Sequence, residues 1–370
     1  MKITSIRTAL VRLPVVETLA DGPLPRGGTR DYFTVQMRTD EGVEGIGLTF
    51  LFGGVLTGAM KAALDELCRR VLGRDPRDTA RIHGELLKAI SPAGPEGIAI
   101  AAVAAIDIAL WDIKARVAGC SVARLAGGAQ DKVPAYASGA LRRDYTHQEL
   151  ERCARTLLDR GWTQMKMQLA LPAPTTHSRE LAAVRLVREV VGPEVDLMID
   201  INHNWDVREA LSLGPRLDEF DLYWLEDIVA KDDYRGMAEI ARVLATPLAT
   251  GESVYGITPF RHMLEAGSVD IVMADVFRAG GITGWLRIAA LAQAHNAPIV
   301  SHLAPELSVH LVCAVPNGLT VEYIPWAEAL YEETPRAQQG WMTAPEAPGL
   351  GIRFSEEAIR RWGEGVTEIS

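Results

Sequence analysis

The sequence is poor in cysteine and has no excess of positive charge. Its 370 residues include 4 cysteines without a C-x-x-C pair, which indicates neither a disulfide framework nor a zinc ribbon. The 38 basic and 48 acidic residues give a formal charge of −10, so the chain lacks the excess of basic residues that nucleic-acid binding needs. With 48% hydrophobic and 23% charged residues, the composition is that of an ordinary globular protein and excludes a disordered scaffold.

Long hydrophobic runs are also absent. The longest apolar-rich stretch, Gly97–Trp111, is interrupted by Asp107 and is shorter than the roughly 20 residues that a membrane span needs. The stretch MKITSIRTALVRLP has polar or charged residues every few positions and no signal-peptide core. We therefore expect a cytoplasmic protein with no membrane partner.

From about residue 133 onward, short β-rich runs alternate with amphipathic segments. Several runs are nearly continuous in apolar residues, which is typical of parallel strands covered on both faces. The predicted strands are Val133–Ser138, Thr163–Leu169, Val195–Asn202, Leu222–Asp227, Leu248–Glu252, Val269–Asp275, Pro298–Leu303 and Leu319–Ile324. Eight strands alternating with helices predict a TIM-type (β/α) barrel, and a doubly wound sheet is the structural alternative.

The first third of the chain has a different pattern. Met1–Pro14 and Tyr32–Gly47 resemble edge strands, with turn signals at Asp40-Glu41-Gly42, and the helical stretches Val55–Leu72 and Pro95–Val117 follow them. Strands followed by helices predict a separate α+β unit packed on the barrel. The tail is rich in proline and glycine, and we expect it to return to this unit. The predicted division is an α+β capping domain at 1–126, a modified barrel at 127–325 and a C-terminal segment at 326–370 that completes the cap.

Three consecutive predicted strands end in acids, namely Asp200 in LMIDIN, Glu226 in LYWLED and Glu252 in LATGES. Catalytic side chains of a barrel lie at the C-terminal ends of its strands, so we expect the three carboxylates to converge. Such a cluster of like charges is costly, and a divalent cation relieves it. All-oxygen ligands favour a hard ion such as Mg²⁺ over Zn²⁺. Taken singly, each acid has the alternative of capping a helix or pairing with an arginine.

A histidine and an acid lie near the ends of the next two strands. His302 is near the end of strand seven in PIVSHL, and Asp275 ends strand six in DIVMAD. On adjacent strands the carboxylate can bond to the imidazole and fix its tautomer. Such a pair facing a metal is a proton-transfer device, and the alternative is a core histidine with satisfied hydrogen bonds.

Polar residues on the second and eighth strands complete the candidate site. Lys166 and Gln168 are two residues apart on strand two and therefore share a face. An inward-facing lysine must meet an anion, either a substrate carboxylate or a metal ligand; the alternative is a surface lysine that points outward. Glu322 ends strand eight and adds an acid or a hydrogen-bonding group to the rim.

In these features the chain resembles the enolase superfamily, specifically its mandelate racemase-like branch, over essentially all of its length. The segment AAIDIALWDIKARVAGCSVARLAGG (residues 104–128) is similar to that family's junction between cap and barrel. The run GWTQMKMQ resembles its strand-two K-x-K site. The runs DVFRAGGITGW and SHLAPELSVHL resemble the Asp and His strands of this branch rather than those of the muconate-lactonizing or enolase branches.

The resemblance implies a modified TIM barrel whose α+β cap closes over a small-molecule carboxylate, and a homo-oligomer. Superfamily sites of this kind use a Lys or His base with Mg²⁺. By that pattern one Mg²⁺ per subunit binds the three strand-end acids, His302 abstracts the α-proton and Asp275 orients it. Lys166 and Glu322 assist as charged groups, while Asn202 and Gln168 contact the substrate. Residues 20–30, with Asp21, Arg26 and Arg30, and residues 50–54 of the cap contribute specificity.

One departure from the family pattern bears on the reaction. Where the family has the second lysine of K-x-K, a usual base on the face opposite the histidine, this chain has Gln168. One base suffices for dehydrating a sugar acid to a 2-keto-3-deoxy acid, which is our first hypothesis. The alternatives are a racemase, epimerase or cycloisomerase, for which a racemase would need Lys166 as its second base. A non-catalytic barrel that lost function at Gln168 is the third hypothesis.

Overall fold

The computed structural model describes residues 1–16, 19–23, 28–52, 54–170 and 176–370. These residues form an α+β cap and a barrel of parallel strands. In the described part of the chain, no helix combines the length and the hydropathy that a bilayer-spanning segment requires.

The cap is built around a four-stranded antiparallel sheet in the order β13-β1-β2-β3. Its N-terminal elements are β1 (Ile3–Pro14), β2 (Thr29–Thr39), β3 (Glu44–Leu51), α1 (Thr57–Arg69), α2 (Thr79–Ile90), α3 (Ile98–Ala118) and the short α4 (Val122–Ala126). The predicted strand Tyr32–Gly47 divides into β2 and β3, because the chain reverses at Gly42, whose φ is +77°. Helix α2 is absent from the sequence-based prediction.

Helix α3 is buried along most of its length between the cap sheet and the barrel. It approaches β3 closely because β3 has glycines where the helix crosses it. A Cβ atom on Gly47 would lie 2.0 Å from the carbonyl oxygen of Ala105, and one on Gly45 would lie 2.7 Å from that of Ala109. A larger residue at either position would push the helix off the sheet.

Eight parallel strands alternate with helices in the second unit. In chain order the elements are β4 (Lys132–Leu141), α5 (His147–Asp159), β5 (Gln164–Gln168), α6 (His177–Val191), β6 (Asp196–Asp200), α7 (Val207–Leu217), β7 (Trp224–Glu226), α8 (Tyr234–Ala241), β8 (Leu248–Thr250), α9 (Thr258–Ala266), β9 (Ile271–Asp275), α10 (Ile282–Ala294), β10 (Ile299–His302), α11 (Pro305–Ala314) and β11 (Val321–Tyr323). Neighbours pair in the order β10-β9-β8-β7-β6-β5-β4-β11. Ile299 N donates to Asn317 O at 2.9 Å and Leu319 N donates to Ile299 O at 2.9 Å, which closes the ring. The prediction of a barrel rather than a doubly wound sheet is confirmed.

A layer of apolar side chains fills the barrel below its C-terminal mouth. This cluster consists of Tyr136, Met198, Trp224, Ala249, Ile271, Met273 and Val300. Several members precede a candidate site residue by two positions, for example Met198 before Asp200 and Val300 before His302. Since side chains two apart on a strand share a face, the candidate residues form the next layer above this floor.

The C-terminal segment returns to the cap, as predicted. It contains β12 (Trp341–Thr343), which pairs antiparallel with β4, followed by α12 (Glu356–Trp362) and β13 (Gly363–Ile369). Strand β13 pairs antiparallel with β1, with Ile369 opposite Ile6. The chain end therefore completes the cap sheet.

Buried hydrogen bonds join the cap to the first turn of α10, the helix that follows β9. Asp107 of α3 accepts from Thr283 N at 2.8 Å and from Thr283 Oγ1 at 2.7 Å, and Trp111 Nε1 donates to the same hydroxyl at 2.8 Å. A Cβ atom on Gly281 would lie 2.5 Å from the Asp107 carboxylate, so only glycine fits there. The cap thus holds the start of α10, the helix that follows Asp275 in the chain.

Candidate active site

The three strand-end acids lie together at the C-terminal mouth of the barrel. Asp200 and Glu226 are register partners at the ends of β6 and β7, and both side chains are buried. Glu252 follows the last residue of β8 by two positions, and its side chain is 13% exposed. The barrel brings to one rim the three acids that the sequence places one βα unit apart.

Lys166 points into the barrel and lies among the acids. Its Nζ is 2.5 Å from Glu226 Oε1, 2.9 Å from Glu322 Oε1 and 4.0 Å from Asp200 Oδ2. Burial by itself lowers the pKa of Lys166, but the attraction of Glu226 and Glu322 raises it well above 10.5. Lys166 is therefore a fixed ammonium group, as predicted for an inward-facing lysine that meets anions.

One ammonium group does not neutralise this cluster. Burial raises the pKa of Asp200 and of Glu226, each opposed by Lys166, and raises that of Glu252 to about 7 against the effect of His302. Among the described residues, no three histidine, cysteine, aspartate or glutamate side chains are arranged as a complete set of metal ligands. Lys166 and His302 lie against the acids instead. The donor chemistry nevertheless fits a hard divalent cation, because a cation would offset the cost of ionising these buried carboxyl groups, which their raised pKa values reflect.

Asn202 connects Asp200 to Arg143, which follows the end of β4. Its backbone N–H donates to Asp200 Oδ1 at 2.8 Å and its Nδ2 donates to Asp200 Oδ2 at 2.7 Å. On its other side, the amide oxygen of Asn202 accepts from Arg143 Nη2. Gln168, the register partner of Asp200 on β5, is half-buried at the same rim.

His302 and Asp275 are in contact at the ends of β10 and β9, where they are register partners. His302 Nδ1 lies 2.6 Å from Asp275 Oδ2, and His302 Nε2 lies 3.2 Å from Glu252 Oε2. Burial lowers the pKa of His302, yet Glu252 and Asp275 raise it overall to about 9. Asp275 also accepts from the backbone N–H groups of Phe277 and Arg278. Since Asp275 holds Nδ1, Nε2 is the nitrogen that faces the acids.

Glu322 is held by hydrogen bonds on both of its oxygen atoms. Oε1 accepts from Ser138 Oγ at 2.7 Å, in addition to its contact with Lys166, and Oε2 accepts from Leu303 N at 2.6 Å. Burial raises the pKa of Glu322, but Lys166 and His302 lower it overall to about 2. Glu322 is therefore an anchored carboxylate and not a proton donor.

The sequence-based prediction includes His203 as a hydrogen bonder near Asp200, but it does not include Trp224 or Arg278 as partners of the site residues. Trp224 Nε1 donates to Glu226 Oε2 at 3.0 Å, and Arg278 donates to the carbonyl oxygen of Glu252. His203 Nε2 lies 2.8 Å from Asp227 Oδ2, next to the metal-ligand candidates. A tryptophan two residues before a strand-end acid lies on the same face of the strand as that acid, so the contact of Trp224 with Glu226 could have been predicted from the sequence.

The cap contributes aromatic side chains beside the end of β11. Phe50 and Phe52 each lie 6.3 Å, centroid to centroid, from Trp326, and the Arg30 guanidinium lies 3.8 Å from the centre of the Trp326 ring. Asp21 is exposed, 3.9 Å from Arg160. Arg26 and residues 24, 25, 27 and 53 of the predicted specificity loops lie outside the described residues.

Replacing Lys166 with methionine is expected to destabilise the metal-free protein by about 3–5 kcal/mol, since it leaves buried carboxylates without their cation. The free energy of unfolding should be measured with a denaturant in the presence of a chelator. The matched control is Lys88→Met on the exposed face of α2, which should change stability by less than about 0.5 kcal/mol. Equal effects of the two variants would contradict the inferred charge balance.

Glu306, in the first turn of α11, supports a pH-dependent prediction. It is buried, accepts from Tyr331 Oη at 3.2 Å, and has a pKa raised by burial from 4.5 to about 7. Because the folded state holds this proton more tightly, stability should fall as pH rises from about 4.5 to about 7. Glu306→Gln, which cannot ionise, should remove up to about 3 kcal/mol of that fall.

The measurement is the free energy of unfolding at pH 5 and pH 8 for the wild type, Glu306→Gln and the exposed control Glu194→Gln. The glutamine variant at position 306 should gain stability relative to the wild type only at the higher pH. A pH dependence that is identical in all three proteins would show that Glu306 does not titrate with folding.

Two parts of the chain match known protein families. Residues 149–358 match the family described as enolase C-terminal domain-like. Residues 24–127 match the N-terminal domain of mandelate racemase and muconate lactonizing enzyme. Together the two matches span most of the cap and most of the barrel, without β1, β4 and β13.

Sequence similarity to known proteins covers nearly the whole chain. The L-talarate/galactarate dehydratase of Salmonella typhimurium is 31% identical, covering 100% of this chain and 92% of that protein. The D-galactarolactone cycloisomerase of Agrobacterium fabrum is 30% identical, covering 97% of this chain and 98% of that protein. The crystal structure of L-talarate dehydratase from Polaromonas sp. JS666, complexed with Mg and L-glucarate, has a TM-score of 0.92 at 30% identity and covers 100% of this chain and 99% of that one.

Proposed function

The chain belongs to the mandelate racemase/muconate lactonizing enzyme family of the enolase superfamily, and we propose that it dehydrates a sugar acid to a 2-keto-3-deoxy acid with the help of Mg²⁺. The reaction breaks the C–H bond next to the substrate carboxylate and releases the β-hydroxyl as water. The observation that carries the proposal is the single proton-transfer pair, His302 with Asp275, in a site where the family's second lysine position holds Gln168.

Asp200, Glu226 and Glu252 are the proposed ligands of one Mg²⁺ per subunit. They are carboxyl groups at one rim, and burial raises their pKa values in spite of the attraction of Lys166, which supports a further cation among them. When bound, Mg²⁺ stabilises the negative charge that develops on the substrate carboxylate during proton removal. Trp224 and Asn202, which bond to Glu226 and Asp200, hold these ligands in place.

His302 is the proposed base. Glu252 is the first group that raises the pKa of His302, and a cation held by Glu252 would offset this effect and favour the neutral imidazole. Asp275 accepts from Nδ1–H, so the lone pair of that neutral imidazole is on Nε2, which faces the site and takes the α-proton. The same imidazole, now protonated, returns a proton to the leaving β-hydroxyl, which gives syn elimination. Asp275 stays a carboxylate throughout, since the hydrogen bond and the charge of His302 keep its pKa low despite burial.

The remaining candidate residues bind the substrate. Lys166 places a positive charge beside the reacting carboxylate, aimed at the negative charge that develops there, and the Glu322 carboxylate holds the Lys166 ammonium in place. Asn202 and Gln168, at the ends of β6 and β5, are proposed to contact the substrate hydroxyl groups. All of them lie on barrel strands or directly after them, which keeps their positions rigid.

A cycloisomerase is the second candidate function, because one base and one acid suffice for it and the Agrobacterium relative carries that name. A racemase is disfavoured by the contacts of Lys166. Its ammonium lies between two glutamates and stays protonated, so it is a poor second base. If the enzyme inverts the configuration of a substrate, Lys166 is the second base, and Lys166→Ala should abolish the inversion.

We also propose that the chain is divided at residues 126 and 325, and that the enzyme is a cytoplasmic homo-oligomer. Strand β13 pairing with β1 supports a separate returning segment. The family resemblance and the lack of a membrane-length helix in the described residues support the rest. Light scattering on the purified protein tests the oligomeric state.

The test of the proposed function is proton NMR in D₂O with Mg²⁺ and a panel of mono- and dicarboxylic sugar acids. A new 2-keto-3-deoxy product is expected from at least one acid. Exchange of the α-proton or a change of configuration without loss of water would indicate an isomerase instead. No reaction and no exchange with any acid would contradict both functions.

A further inference from the structure

Arg143 is a half-buried residue at the C-terminal mouth of the barrel, two residues after β4. Its Nη1 donates to the carbonyl oxygen of Ala170 at 3.2 Å, and its Nη2 donates to the amide oxygen of Asn202. Asn202 in turn donates to Asp200 at 2.7 Å. Arg143 therefore lies one side chain away from a proposed metal ligand.

Both oxygen atoms that accept from Arg143 are uncharged. In the part of the chain that the structure describes, no ion pair joins Arg143 to a carboxylate, whereas its neighbour Arg142 is paired with Asp144 at 2.9 Å. Burial lowers the pKa of Arg143 even though Asp200, Asp144 and Glu180 oppose this effect, and an anionic ligand bonded to the guanidinium would offset the cost of its burial. The two described bonds use two of the five N–H donors that a guanidinium carries, so donors remain for a ligand.

The surroundings of Arg143 also favour an anion. One cleft at this edge of the barrel is lined by Arg142, Arg143, Arg179 and Glu180, together with Gln168 and His147. Arg142 is paired with Asp144, so Arg143 and Arg179 against Glu180 leave this cleft with a positive charge in a chain whose net charge is −10. Because position 168 is a neutral glutamine, no lysine ammonium lies beside Arg143 on β5 to share an anionic group.

We propose that Arg143 binds the second carboxylate of a dicarboxylic sugar acid, so that the enzyme prefers diacids to monoacids of the same configuration. The planar fork of a guanidinium matches the two oxygens of a carboxylate. The inference rests on the proposed function, in which the reacting carboxylate lies at Lys166 and Glu322. It narrows the substrate class within that function.

The experiment compares galactarate with galactonate, which differ in carrying a carboxylate or a hydroxymethyl group at the far end. Binding is measured by calorimetry with Mg²⁺ on the full-length His302→Asn protein, so that no turnover disturbs the titration. Galactarate should bind more tightly. Adding Arg143→Met should lower the affinity for galactarate about 10- to 100-fold, because a charge-assisted hydrogen bond contributes about that much to binding. The affinity for galactonate should fall less than about threefold. Arg155→Met, an exposed residue of α5, should alter neither affinity.

Comparing the two acids distinguishes direct binding of the far carboxylate by Arg143 from an effect of Arg143 on the position of Asn202. If Arg143 only orients Asn202, its loss weakens galactarate and galactonate equally, and the inference is wrong. Tighter binding of galactonate by the parent protein, or no binding of either acid, overturns it as well. Should Arg143→Met fail to fold, Arg143→Lys keeps the charge without the fork and should give an intermediate galactarate affinity. A diacid preference that depends on Arg143 supports the inference even if the wild type forms no dehydrated product, and only the proposed function then fails.

Discussion

Replacing His302 with asparagine is expected to lower kcat for dehydration by a factor of about 10²–10⁴, the usual contribution of a positioned general base. Asparagine retains a hydrogen-bonding side chain but cannot accept the α-proton. The loss should appear in both product formation and exchange of the α-proton in D₂O, because both need the same proton transfer. Calorimetry should show that the variant still binds Mg²⁺, since the three acids are unchanged.

Two other variants make this result specific. Asp275→Asn leaves the base in place but removes the carboxylate that holds Nδ1–H, so kcat should fall while some α-proton exchange remains. His295→Asn, in an exposed position after α10, should behave like the wild type. Undiminished dehydration by the asparagine variant at position 302 would show that another residue is the base.

Removing divalent metal with a chelator is expected to reduce activity to background, and added Mg²⁺ should restore it. Among single substitutions, Glu226→Gln should lower Mg²⁺ affinity by more than about 100-fold, because loss of an outer partner of a ligand already costs about 10- to 100-fold. Glu226 is buried at the centre of the three acids and accepts from both Lys166 and Trp224. Calorimetric titration with Mg²⁺ measures the affinity directly.

Glu219→Gln, on the exposed surface near the start of β7, is the matched control and should keep the wild-type affinity. Mg²⁺ should also raise the midpoint of thermal unfolding of the wild type, since a ligand that binds only the folded state stabilises it. Full activity in the chelator, or no binding of Mg²⁺ by the wild type, would refute the metal assignment.

Much of the barrel could be predicted from the sequence because its signals are local and periodic. Each predicted strand overlaps an observed one, since a short apolar run followed by an amphipathic segment repeats with a steady period. The positions of Asp200, Glu226 and Glu252 at one rim follow from the same regularity, because parallel strands end at the same edge of a sheet. The resemblance to the mandelate racemase-like branch is confirmed by the family matches.

The cap was harder to predict at the level of its elements. Helix α2 was not predicted, and the division of Tyr32–Gly47 into β2 and β3 was indicated only by the turn signals at Asp40-Glu41-Gly42, because short antiparallel strands carry weaker periodicity. The close approach of α3 to β3 depends on Gly45 and Gly47, whose role appears only when the helix is placed against the sheet. The return of the tail to the cap, in contrast, was correctly predicted.

By itself, the sequence determined the fold class, the family and the strand ends at which the candidate residues lie. Only the tertiary structure decided what those side chains touch. The contacts of Lys166 with Glu226 and Glu322, of Ser138 with Glu322, and of Arg143 with Asn202 join residues that are far apart in the chain. Periodicity says which face of a strand a side chain occupies, but a hydrogen bond of about 3 Å depends on strand register, barrel closure and rotamer together.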